Sequence, residues 1–254
     1  MLLTVDIGNT SITLGVFRGE ELKESRRLST DARRTADEYG AALLALFSSP
    51  GIKARDLKAA IVSSVVPQLN EAMKDALARY LNLSATFVTH ENCGINILTE
   101  RPSEVGPDRL VNAVAAFSMH KRPLIVADFG TAATFDYVTG KGEFAGGAIA
   151  PGIGLSAEAL HVKTAALPRV EPDKPERVIG RNTVEAMRSG IFYGFLGLVD
   201  GILERMAEEA GTNPIVVATG GYAGLLKGRS RRITEIDEFL TLKGLRIIHG
   251  GKID

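Results

Sequence analysis

The chain opens on the apolar run LLTVDI, which ends at Asp6, and near mid-length LIVADF ends the same way at Asp128. Glycine and small polar residues follow each run, and then strand-type residues resume. In the first half these are SITLGVF, a turn at Arg18-Gly19-Glu20 and a further strand. In the second they are TFDYV, a turn at Gly140-Lys141-Gly142 and the strand through GEFAGGAIA. Short β-branched and aromatic runs separated by glycine turns predict a three-strand meander at the head of each half. Helical spacing comes next. Thr35 and Glu38 form a capping box ahead of Tyr39, Leu43 and Phe47. AAIVSSV (59–65) reads as a short buried strand, and Pro67 leads a helix with Leu69, Met73, Leu77 and Tyr80 or Leu81 on one face. In the second half Asn182 and Glu185 cap a helix running to about Glu209, and PIVVATGG gives a strand ending in paired glycines. The stretch LPRVEPDKPERVIG (167–180), rich in proline and charge, predicts a loop.

A meander followed by alternating helix and strand, in two copies, predicts an α/β protein of two similar subdomains facing each other, 1–118 and 119–254. Each is a mixed sheet with a leading meander and flanking helices. Composition narrows the partners. Lys+Arg and Asp+Glu balance at 30 each, which argues against nucleic acid or an anionic membrane as the main partner. The basic run KGRSRR (227–232) is short and reads as a solvated loop. Cys93 is the only cysteine, so no internal disulfide forms. Asp6 interrupts the N-terminus before a signal-type apolar segment develops, and no uninterrupted apolar run approaches ~20 residues. These features predict a cytoplasmic chain.

The repeated loop carries the chemistry. An Asp at a strand end followed by Gly and hydroxyl or amide residues suits triphosphate binding. Gly lets backbone N–H groups approach phosphate oxygens, and Asn and Thr side chains add donors. The carboxylate repels phosphate unless a cation lies between them, a place Mg²⁺ takes well. One strand–Asp–x–Gly turn is also an ordinary hairpin. Two copies, Asp6-Ile7-Gly8-Asn9-Thr10-Ser11-Ile12-Thr13 and Asp128 with Gly130, Thr131 and Thr134, point instead to two lobes gripping one nucleotide. Other signatures fail. GIGLSA (152–157) fits a loose dinucleotide pattern, but Glu171 and Asp173 downstream lie in the Pro-rich loop. There is no P-loop lysine motif, no G-x-S-x-G elbow, and no metal-ligand spacing among the four histidines and Cys93.

The paired loops resemble the phosphate motifs of the actin-like (ribonuclease H-like) ATPases, which include sugar kinases, acetate kinase and heat-shock ATPases. Across essentially its whole length the chain resembles the type III pantothenate kinases. The resemblance rests on DIGNTSIT (6–13), EVGPDRLVN (104–112), ADFGTAATFD (127–136), GGAIAPGI (146–153), LHVKTAALPRVE (160–171), IGRNTVEAMRSGIFYG (179–194) and ATGGYA (218–223), in that order. It implies ATP-dependent phosphorylation of the primary hydroxyl of pantothenate, the first step toward coenzyme A, by a homodimer. Residues 6–13 would hold ATP, with Asp6 nearest the Mg²⁺. Asp128 would ligate a monovalent cation, K⁺ or NH₄⁺, and Thr131 would contact ATP. Gly220 and Gly221 would lie on the adenosine side; from sequence they are equally a strand-to-helix turn.

Gly106, Pro107, Asp108 and Arg109 open the apolar helix LVNAVAAF. Spacing alone leaves Asp108 as either a helix-terminus carboxylate or a functional one. The resemblance makes it the proton acceptor for the substrate hydroxyl and places all four residues at the pantothenate site. Thr183 is in the same position: beside Asn182 it suits a helix cap, and the resemblance gives it substrate contact. Two positions depart from the family pattern. Pro107 stands where Ala is usual, and Thr99 stands where many members carry a substrate-lining Tyr. Two rival functions follow: another small-molecule kinase of this fold, or a non-catalytic transcription accessory factor.

Overall fold

The structure is a computed structural model that describes residues 1–47 and 52–251; the last three residues of the second predicted subdomain lie outside the described residues. In chain order the strands are β1 (Leu2–Ile7), β2 (Ser11–Arg18), β3 (Glu21–Ser29), β4 (Ala59–Ser64), β5 (Ala85–Phe87), β6 (Asn96–Ile97), β7 (Leu124–Phe129), β8 (Ala132–Val138), β9 (Glu143–Pro151), β10 (Ile215–Thr219) and β11 (Glu235–Ile236). The helices are α1 (Ala36–Leu46), α2 (Asn70–Leu81), α3 (Pro107–His120), α4 (Ile153–Lys163), α5 (Thr183–Ala210), α6 (Ala223–Leu226) and α7 (Leu240–Gly250). They form two compact units. The first holds Met1–Asn96, Glu100–Ser118 and the segment from Leu240 on; the second holds Ile97–Thr99 and Met119–Phe239.

Both units repeat one plan. The first sheet runs β3-β2-β1-β4-β5; the second runs β9-β8-β7-β10-β11 with β6 added outside β9. The predicted meanders are β1–β3 and β7–β9, with antiparallel pairing inside each. The following strand then pairs parallel to the first, β4 on β1 and β10 on β7. Even the irregularities match: β2 shifts register between Val16 and Phe17, and β8 between Tyr137 and Val138. β1 and β7 are central strands covered on both faces, which explains their near-continuous apolar runs. The outer strand β3 instead carries charges, with Lys23 paired to Glu21 and Arg26 to Glu24. Charged side chains on an edge discourage pairing with another chain.

The helices form where local signals place them. Thr35 and Glu38 make the capping box of α1, Glu38 N–H to Thr35 Oγ1 at 3.3 Å and Thr35 N–H to Glu38 Oε2 at 2.8 Å. Pro67 leads a 3₁₀ turn, Pro67–Leu69, and regular helix starts only at Asn70. α1 and α2 cover one face of the first sheet, where Leu3, Val5, Ile7, Tyr39, Leu43, Met73 and Leu77 form a fully buried cluster. α5 runs to Ala210 and stops at Gly211 in the left-handed conformation, φ 60°. It is long and apolar enough to cross a membrane by length and composition, yet Met187, Ile191, Phe195, Val199 and Leu203 pack into the second unit's core.

α7 departs from the sequence division at 118/119. It joins the first unit, with Leu240, Leu242 and Leu245 buried and Leu242 packed over Gly15 of β2. Thr241 Oγ1 donates to Asn112 Oδ1 at 2.8 Å, tying α7 to α3. The physical reason is that α1 and α2 cover only one face of the first sheet. The other face needs an apolar partner, and the C-terminal amphipathic helix supplies it. The segment Ile97–Thr99 goes the opposite way, with Leu98 N–H donating to Phe144 O at 2.8 Å in the second unit.

Candidate active site

In the first unit the repeated loop leaves β1 at Asp6, whose side chain is half-buried at the strand end. Asp6 stands opposite Thr13 on β2 and beside Ser63 on β4. Gly8 N–H closes the turn onto Ser11 O at 3.0 Å. Thr30, just beyond β3, donates its hydroxyl to Gly8 O at 2.6 Å and its N–H to Thr10 O at 3.1 Å. Two carbonyl oxygens that would repel phosphate are thereby engaged within the protein. Asn9 and Thr10 are exposed at the tip, whereas Ile7 and Ile12 are fully buried in the core cluster. Any contact of those two isoleucines with a ligand is therefore through backbone.

The GPDR segment lies next to this loop. Val65 N–H bonds Ile7 O at 3.0 Å, and the Val65 side chain comes within 3.8 Å of the Cβ position at Gly106. Pro107 is the first residue of α3, where its fixed φ suits the helix and its missing N–H costs nothing. Asp108 folds back over the helix terminus. Its Oδ1 accepts from Arg109 N–H at 2.8 Å and lies 2.6 Å from where a Cβ on Gly106 would be, so a side chain at 106 displaces it. Burial pushes the Asp108 carboxyl above its usual range, against the smaller lowering effects of the Arg109 N–H and guanidinium. A carboxylate at a helix N-terminus is ordinarily favoured in its charged form. Here desolvation wins, a condition that suits a proton acceptor.

The second unit builds its loop more tightly. Asp128 closes β7 opposite Thr134 and beside Thr219 of β10. Gly130 N–H bonds Ala132 O at 3.0 Å, Gly152 N–H bonds Thr131 O at 3.2 Å, and Tyr222 N–H bonds Phe129 O at 3.1 Å. Thr131 itself is exposed. Gly220 has φ +90°, and a Cβ there would sit 2.4 Å from Asp128 Oδ1, so only glycine fits. The paired glycines are thus a strand-to-helix turn that also seats the Asp128 carboxylate; Gly221 beside it is exposed.

The ambiguity at α5 resolves in part. Asn182 is the cap, accepting from Glu185 N–H at 2.9 Å, while Glu185 accepts from Arg181 N–H at 2.9 Å. Thr183 is the first helical residue and exposed, so its hydroxyl is not the cap. Thr99 is half-buried, with a hydroxyl oxygen enclosed and without a partner. The basic run KGRSRR is anchored on α5: Asp200 accepts from Ser230 Oγ at 2.6 Å and Arg231 Nε at 3.3 Å, and Arg231 also pairs with Glu204 at 3.2 Å.

Among the described residues no three His, Cys, Asp or Glu side chains form a metal-holding group. Mg²⁺ at nucleotide sites takes one or two carboxylates together with phosphates and water, so it does not require such a group. Asp6, with the unpartnered buried hydroxyl of Ser63 in register beside it, fits such an ion. Asp128, a strand-end carboxylate closely approached by the Gly220 backbone, has the donor chemistry for a single cation. Thr30 and Ser63 are not apparent from motif reading. Their only sequence signals are a hydroxyl just past a charged strand (Thr30 after β3) and one near the end of an apolar strand (Ser63 in β4).

Known structures share the fold. A solved structure of a candidate Baf-family transcriptional activator from Campylobacter jejuni covers 98% of both chains with a TM-score of 0.61 at 19% identity. The inorganic polyphosphate/ATP-glucomannokinase from Arthrobacter sp. strain KM covers 99% of both with a TM-score of 0.51 at 15% identity. At those identities the likeness is one of fold, the two-unit actin-like α/β architecture. Sequence relatives are much nearer. A type III pantothenate kinase from Brevibacillus brevis is 50% identical over 250 residues, 98% of each chain. The profile of that family matches residues 2–205. With the duplicated Asp–Gly loops and the half-buried Asp108 in place, the chain belongs to the type III pantothenate kinases.

Proposed function

We propose that the chain transfers the γ-phosphoryl group of ATP to the primary hydroxyl of pantothenate, giving 4′-phosphopantothenate, and that Asp108 is its base. As the hydroxyl oxygen bonds to the γ-phosphorus, its proton passes to the Asp108 carboxylate and ADP leaves. The observation that carries this is Asp108 at the α3 terminus, short of solvent and raised in proton affinity, joined through Val65 to the strand end that bears Asp6. Positioning and charge stabilisation supply most of the catalysis in phosphoryl transfer, with the base aligning the attacking oxygen.

The other roles follow. Residues 6–13 hold ATP, with Asp6 taking the Mg²⁺ that offsets phosphate charge. Thr131, Gly220 and Gly221 also contact ATP, and Asp128 holds K⁺ or NH₄⁺. Gly106, Pro107, Arg109 and Thr183 bind pantothenate, with the Arg109 guanidinium donating to its polar groups. The enclosed Thr99 hydroxyl offers a further polar group to the substrate. The active form is a cytoplasmic homodimer. Supporting the dimer, Val162 of α4 and Val178 and Ile179 at the end of the Pro-rich loop are 64%, 61% and 84% exposed. Large apolar side chains left exposed are common at contact surfaces.

The test is ADP release by purified protein in Mg²⁺, K⁺ and ATP, with and without pantothenate, beside Asp108→Asn. Pantothenate-dependent release that falls about 10²–10⁴-fold in the variant is expected. Release that ignores pantothenate contradicts the substrate, and an undiminished Asp108→Asn rate contradicts the base.

A further inference from the structure

Ser63 is the feature these roles leave unexplained. β4 is otherwise apolar where it is enclosed, with Ala60, Ile61 and Val62 at most 1% exposed, and Ser63 is 0% exposed. Its Oγ is buried with no hydrogen-bond partner. A hydroxyl in that condition carries its desolvation penalty without return, and alanine would occupy the place at less cost.

The sheet shows what the hydroxyl stands next to. Ser63 is in parallel register with Asp6, on strands about 4.8 Å apart. Val5 and Ile7 on β1, and Ala60 and Val62 on β4, enter the core cluster, so Asp6 and Ser63 share the opposite face. The second unit repeats the juxtaposition: Thr219, 2% exposed, is in register with Asp128 on the equivalent strand. A hydroxyl flanking the loop carboxylate is thus present in both copies of the plan.

We infer that Ser63 is a positioning residue for Asp6, a reading that rests on Asp6 as the Mg²⁺ carboxylate. When Mg²⁺–nucleotide is bound, the Ser63 hydroxyl donates to one Asp6 oxygen. That fixes the carboxylate's rotation and leaves the other oxygen for the metal.

Binding of ADP, followed by calorimetry across a Mg²⁺ series, tests this without reference to turnover. Ser63→Ala is expected to unfold at the same temperature as the parent or higher, since an unmatched hydroxyl is removed. It should need about tenfold more Mg²⁺ for half-maximal ADP binding, the factor one hydrogen bond to a charged group supports. Ser63→Thr keeps the hydroxyl and should restore the parent's Mg²⁺ dependence. An unchanged Mg²⁺ series in Ser63→Ala overturns the inference. So does a lowered unfolding temperature with unchanged Mg²⁺ dependence, which marks a purely structural serine. If ADP binding by the parent ignores both Mg²⁺ and Asp6→Asn, the assignment of Asp6 is wrong and the inference falls with it.

Discussion

The two Asp–Gly loops start from one plan and end with different neighbours. In both, a central strand carries Asp as its penultimate residue, a threonine stands opposite it, and a hydroxyl residue stands beside it on the parallel strand. The first loop then takes four residues to turn, Gly8–Ser11, and exposes Asn9 and Thr10 with its carbonyls held by Thr30. The second turns in three, Gly130–Ala132, and is pinned by Gly152, Tyr222 and Gly220. The helix starts assigned above to the substrate differ as well: α3 opens on Pro107 and the half-buried Asp108, whereas α5 opens on the exposed Thr183 behind the Asn182 cap. On the proposed assignments this difference is a division of labour: the first unit would supply donors, the Mg²⁺ carboxylate and the base, and the second a seat for a cation and nucleotide groups.

The largest expected effect separates the two helix starts. Beyond its loss of turnover, Asp108→Asn should be more heat-stable than the parent at neutral pH. A folded-state pKa raised above the unfolded value gives stability that is present in acid and lost as pH rises through the folded pKa. The stability gain of Asp108→Asn should therefore shrink as the pH is lowered toward 4, an ordinary carboxylate value. The parent's activity should rise with pH through the same raised pKa. A variant less stable than the parent at every pH would contradict the desolvation argument.

Gly220→Ala sharpens the contrast between loops. The substitution meets both φ +90° and Asp128 Oδ1, so it should lower stability by more than about 1–2 kcal/mol and weaken the response to K⁺. Gly8→Ala, whose Cβ would meet only Ser11 O at 3.2 Å, should cost less and leave the K⁺ response intact. Thermal melts and K⁺ titrations check both. The smallest effects lie at α5. Asn182→Ala should lose about 1 kcal/mol from a missing cap. Thr183→Ala should keep its stability and raise the KM for pantothenate.

Much of this was legible in the sequence because it is local. The meanders, the Thr35–Glu38 box, the Asn182 cap and the repeated DxG loops each depend on residues a few positions apart. What was not legible depends on pairing between distant segments. Ser63 gains meaning only from its register with Asp6, and Gly220 only from its approach to Asp128. The return of α7 to the first sheet follows from which face α1 and α2 leave open, a fact no local pattern records. The burial that raises the Asp108 pKa was likewise not legible, since the spacing is the same for a cap and for a functional carboxylate.

The division of labour is tested most directly by titrating Mg²⁺ and K⁺ separately against pantothenate-dependent ADP release in Asp6→Asn and Asp128→Asn. Asp6→Asn should shift the Mg²⁺ requirement upward by about tenfold or more with K⁺ activation preserved, and Asp128→Asn should abolish K⁺ activation with the Mg²⁺ requirement preserved. Equal shifts in both cations for both variants would contradict it.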